Sequence, residues 1–138
     1  MPERETLRRL LAHARGSAII CGVFGLGYGA LAMLFGPALW GGSPAYDTAR
    51  IIPFWPRSWC GLLALFSLCI LYGLYRKQMR PLRFGLAAMC TWCLFLALAF
   101  FVESAQSATS FGLSAVWLYI VLGMFSANTL VLARSIRW

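Results

Sequence analysis

The sequence predicts an all-α integral membrane protein: a four-helix bundle preceded by a short N-terminal amphipathic interfacial helix. Three observations carry this. Hydrophobic residues fill 61% of the 138 positions and charged residues only 12%, about half the charged share of a soluble domain. The apolar residues gather in four runs of the length that crosses, or nearly crosses, a hydrocarbon core. Ten of the twelve Lys and Arg residues fall in segments that four crossings place on one side of the membrane. The chain is read as one transmembrane domain covering residues 1–138.

Residues 3–15 (ERETLRRLLAHAR) form the interfacial helix. Leu7, Leu10, Leu11 and Ala14 recur at i, i+3, i+4 and i+7, which makes one apolar stripe. Arg4, Arg8, Arg9 and Arg15 lie largely on other faces, suited to an anionic lipid surface. His13, the single histidine, rests at headgroup level in this reading; a pH-sensing role is the alternative.

Span one covers residues 17–40. Ala18, Gly25 and Ala32 form one row, and Gly22, Gly29 and Gly36 the next, with spacings of four and three in alternation. All six fall on one seam of a helix. Glycine weakens a helix in water by roughly 1 kcal/mol per residue, but in lipid it lets a second backbone come close. The seam therefore expects a partner along its length, either within the chain or on another copy. The apolar run, about 20 residues, exceeds a signal-peptide core, and no small-x-small cleavage site closes it.

Residues 41–57 form the outer loop. Pro37, Pro44, Pro53 and Pro56 lie in or near it, among Trp40, Tyr46, Phe54, Trp55 and Trp59. Such rings prefer the membrane interface, so the loop is expected to cap the bundle against the bilayer. Span two covers 58–75. Arg76, Lys77, Arg80 and Arg83 then mark a tight basic turn, and Pro81 suits the first turn of the next helix. Span three covers 82–102, and a short polar stretch follows, in which Glu103 is expected to be a solvated helix-end carboxylate. Span four covers 111–133, closed by Arg134 and Arg137 with Trp138 as an interfacial anchor. The basic bias places both termini in the cytoplasm and the protein in the inner membrane. The net charge of +8 thus reports topology, and nucleic acid is not an expected partner.

Apart from Arg83 at the start of span three, no Asp, Glu, Lys, Arg or His lies inside a span. That argues against proton pumps, ion-coupled transporters and voltage sensors, which need such groups at depth. One histidine cannot ligate a haem from both sides, and no metal-ligand cluster is written in the chain. Cys21, Cys60, Cys69, Cys90 and Cys93 lie in or beside apolar runs and read as packing residues. Cys90-x-x-Cys93 resembles the motif of thioredoxin-type and quinone-linked disulfide-forming enzymes, but mid-span a thiolate is costly to form. Serines occur without a base to activate them. The expectation is no enzyme, no cofactor and no metal.

On span four, Gly123 and Ala127 form a small-x-x-x-small pair, and Asn128 places an amide in hydrocarbon. Asn128 is expected to pin span four to a neighbouring helix of the bundle; holding an oligomer or facing a pore are the alternatives. The glycine seam, the proline-rich loop and the stretch Pro53-Phe54-Trp55-Pro56-Arg57-Ser58-Trp59-Cys60-Gly61 entering span two complete the pattern. This architecture resembles small phage-encoded four-helix membrane proteins, some of which are holins. The resemblance spans the whole chain at the level of architecture and carries over no functional residue. It implies self-association in the inner membrane and permeabilisation, for which Tyr119, Ser126 and Thr129 offer the one polar helix face. The alternative function is a non-catalytic accessory subunit that stabilises a larger membrane-protein complex. The expected partners are the bilayer and other membrane-protein chains.

Overall fold

The structure, a computed structural model, describes residues 2–40, 57–107 and 111–135. Every described residue outside the 76–78 turn is helical. The four helices are α1 (Pro2–Trp40), α2 (Arg57–Tyr75), α3 (Met79–Ser107) and α4 (Phe111–Ser135). Each contains a stretch long and apolar enough to cross a membrane: Arg9–Gly36, Arg57–Tyr75, Met79–Gln106 and Ala115–Ala133. The interfacial cap expected over 41–57 lies, but for Arg57, outside the described residues.

Each helix packs on the next in an up-down-up-down ring, and α4 returns to touch α1. The core is a thin central column. Cys21, Ile70, Leu86, Met89 and Cys93 are fully buried there. Only about a third of each spanning stretch is buried. The remainder is apolar and outward: Ile20, Leu34, Leu98, Met124 and Val131 are each at least 60% exposed. In water such a surface would aggregate; in hydrocarbon it is the solvated face. The exposed residues thus define a multi-pass membrane protein.

The first helix joins two expected elements in one. No break separates an interfacial helix 3–15 from span one, because α1 continues through Gly16. Nothing lies within 4 Å of where a Gly16 side chain would begin, so no neighbour forces a bend there. Arg9 bonds Glu5 one turn earlier at 2.8 Å, which ties the basic segment into the same helix. Arg9 and Arg15 are exposed; the side chains of Arg4 and Arg8 lie outside the description. At 1.5 Å per residue α1 is about 58 Å long, roughly twice the hydrocarbon thickness. Helix α3 likewise continues to Ser107, past the expected end at 102.

The turn between α2 and α3 is a C-terminal cap built on backbone. Gln78 N donates to Gly73 O at 2.9 Å and Lys77 N to Leu74 O at 3.3 Å, the Schellman pattern. That pattern needs one left-handed residue, and Lys77 supplies it with φ 53°. A residue with a β-carbon pays roughly 1 kcal/mol to sit there, a cost glycine avoids. At the same end of the bundle, Arg83 Nη2 donates to Ala133 O at 3.4 Å, close to the C-terminus of α4. A cation there meets the negative end of the helix dipole.

Lys77→Gly should therefore raise the thermal unfolding midpoint of the detergent-purified protein, by a stabilisation of about 1 kcal/mol. An unchanged or lowered midpoint would show that the turn is not held in this geometry.

Candidate functional site

All six seam residues, Ala18, Gly22, Gly25, Gly29, Ala32 and Gly36, are buried within the single chain. Their main partner is α2, which runs antiparallel. A side chain at Gly22 would strike the Leu71 side chain at 2.7 Å. One at Gly25 would meet the Ser67 hydroxyl and the end of Met89 from α3. One at Gly29 would meet backbone: Cys60 O at 2.9 Å and Ala64 N at 3.1 Å. The partners Cys60, Ala64, Ser67 and Leu71 repeat the four-three-four spacing of the seam. Cys60, Ala64 and Ser67 are small, so the helices lie flush there, and Leu71 fills the space left open at Gly22.

The seam also begins earlier than its glycines suggest. Ala14 and Ser17 are buried, four residues before Ala18 and Cys21. Two further close approaches carry the α2–α3 hairpin. A side chain at Gly73 would overlap the backbone of Leu82, and one at Gly85 would reach Phe66 O at 2.7 Å. The available signal was a glycine at each of these positions inside an apolar helical run. Glycines 16, 27 and 61 have open space instead.

The hydroxyls of Tyr28, Ser67, Tyr119, Ser126 and Thr129 and the Cys21 thiol find partners nearby inside the bundle. Ser67 Oγ donates to Leu63 O at 2.8 Å and Thr129 Oγ1 to Phe125 O at 2.8 Å, each one turn back. Ser126 Oγ lies 3.7 Å from Cys21 Sγ, and Tyr28 and Tyr119 share a hydroxyl contact at 3.3 Å. Tyr119 also stacks on Phe100, with ring centroids 5.5 Å apart. Tyr119, Ser126 and Thr129 are therefore buried in the bundle, and do not form an outer polar face.

Two other expectations are corrected. Asn128 does not pin α4 to a neighbouring helix: it is exposed. At 100° per residue it stands about 200° round the helix from the buried Ser126, so it faces away from the core. Glu103 is not a solvated helix end. Because α3 continues beyond it, Glu103 is only 8% exposed, as is Ser104. Gly123 is buried against Cys93 and Leu94 at ordinary contact distance, and Ala127 is half-buried.

The five cysteines are free thiols; Cys93 is buried and Cys90 half-buried. Among the described residues no three His, Cys, Asp or Glu side chains come together as a metal site. The indole nitrogens of Trp59 and Trp92 and the Ser104 hydroxyl are buried without a hydrogen-bond partner among the described residues. Trp59 and Trp92 meet edge to face, with centroids 6.2 Å apart. No family model matches the chain, and neither a curated protein nor a solved structure matches it.

The seam makes a graded prediction. Gly29→Leu should destabilise the bundle by about 3 kcal/mol, because backbone cannot swing aside. Gly22→Leu should cost less, since the Leu71 side chain can turn. Gly27→Leu should be tolerated, since that position is open. Denaturation of the three variants in mixed micelles checks the order; equal losses at Gly29 and Gly27 would contradict the α1–α2 contact.

Proposed function

We propose that this protein is a non-catalytic, four-span subunit of the inner membrane, with both termini cytoplasmic, that works by assembling with other membrane-protein chains. One observation supports it above the rest. The bundle buries its small-residue seam and the hydroxyls of Ser67, Tyr119, Ser126 and Thr129 internally, yet keeps the Asn128 amide on the outside of α4. An amide facing hydrocarbon favours a protein neighbour over lipid. Assembly through the outer surface leaves the α1–α2 contact intact.

Holin-like permeabilisation fits this arrangement less well. Lining a water-filled lesion would require Tyr119, Ser126 and Thr129 to turn outward, and each is bonded inside the bundle.

Inducible expression in a bacterium, with membrane potential and culture density followed together, separates the two. Continued growth at intact potential, with cross-linked species larger than a monomer in the membrane fraction, is the expected result. A sudden depolarisation after a lag, advanced by a small dose of uncoupler, would overturn it in favour of permeabilisation. For orientation, a C-terminal alkaline phosphatase fusion should be inactive and a C-terminal green fluorescent protein fusion bright. The reverse pattern would invert the topology.

A further inference from the structure

The geometry points to a second copy of this chain as the partner that covers α4, with Asn128 of each copy bonded to Asn128 of the other across a twofold axis. This rests on the assembly reading above and names its partner. Asn128 lies inside the spanning stretch Ala115–Ala133. It is five residues from Ala133, or about 7.5 Å along the axis. The charged end of the bundle is marked at Ala133 itself, where Arg83 bonds the carbonyl. Val131 lies between Asn128 and that end and is itself outward and apolar. Asn128 thus sits about one and a half turns of helix short of the polar boundary, with a side chain too short to reach it.

The amide has no hydrogen-bond partner among the described residues. Thr91 shows the contrast. It too is exposed, on α3, but its hydroxyl donates to Ala87 O at 3.1 Å and needs nothing further. A primary amide carries two N–H donors and a carbonyl acceptor, so it is complementary to itself. Every copy inserts in the same direction and holds Asn128 at the same depth. A twofold axis along the membrane normal therefore brings two such amides together with donors facing acceptors. A different protein would have to place a matching group at that depth by coincidence.

The surrounding stripe has the right spacing for a helix pair. Trp117, Val121, Met124, Asn128 and Val131 are all exposed and recur at intervals of four and three. That is the seam of a two-stranded coiled coil, with Val121 and Asn128 at a and Trp117, Met124 and Val131 at d. An asparagine at one a position, with apolar residues around it, sets register and favours two strands.

The test uses the full chain in phosphatidylcholine vesicles, labelled separately with donor and acceptor dyes, over a range of lipid-to-protein ratios. Energy transfer should rise linearly with acceptor fraction, the mark of a dimer. Asn128→Leu should weaken association roughly ten-fold, the loss of an interhelical amide contact. Asn128→Gln should retain most of it, because the amide survives. Thr91→Val should change nothing. All variants should keep the wild-type unfolding midpoint of the monomer, since Asn128 is exposed on α4. A dimer indifferent to Asn128→Leu overturns the proposal but leaves assembly through another face. A monomeric wild type also overturns it, and if the chain also cross-links to nothing in cells the assembly reading falls with it.

Discussion

Along the α1–α2 contact the two helices lie together because α1 presents glycines, which admit backbone at Gly29 and the Leu71 side chain at Gly22. At Gly29 the space a β-carbon would need is already taken by the carbonyl of Cys60. The rest of the bundle follows from that contact. It fixes the rotation of α1, so Cys21 turns toward Ser126 on α4 and Tyr28 toward Tyr119. It sends Ile19, Ile20, Val23, Leu31, Leu34 and Phe35 into lipid. In hydrocarbon there is no hydrophobic gain from joining helices, so close packing and a few hydrogen bonds must hold them. The glycines supply the first, and the paired hydroxyls and thiol the second.

The same logic recurs on a smaller scale at the hairpin. Gly73 lies against Leu82, and Gly85 against Phe66 and Ile70, directly beside the turn capped by Lys77. Helices α2 and α3 are thus held near their connection by close approach and by a backbone cap. Where α2 begins, Trp59 packs on Trp92. Close approach therefore holds α2 near both its ends, with the Trp59–Trp92 pair beside the Gly29–Cys60 contact.

Much of this was legible in the sequence. Apolar runs mark the four spans, because hydrocarbon demands an uninterrupted length of apolar helix. The alternation of four and three marks the seam, because small residues in a row serve no purpose on a lipid face. Whether that seam met α2 or another copy was not legible, since a row of glycines does not name its partner. The matching row Cys60, Ala64, Ser67 and Leu71 does, but its Leu71 hides it from a search for small residues. The side of α4 on which Asn128 lies is not legible for a related reason: apolar residues occupy every face of α4, so no periodicity tells its inner face from its outer one. The extent of α3 is not legible either, because Glu103 and Ser104 are polar although helix and burial both continue through them.

The central claim is that the α1 seam closes on α2 of the same chain. A double variant, Gly25→Cys with Ser67→Cys, tests it directly in a background where the five native cysteines are replaced by alanine. The β-carbon built at Gly25 lies 3.5 Å from that of Ser67, at disulfide distance, and apart from the replaced hydroxyl it meets only the flexible end of Met89. Mild oxidation in membranes should give a disulfide that leaves the protein at monomer mass on a non-reducing gel. Its α1 and α2 fragments should stay joined after cleavage in the connecting segment until reductant is added. A product at dimer mass would show that the seam meets another copy, and would contradict the account.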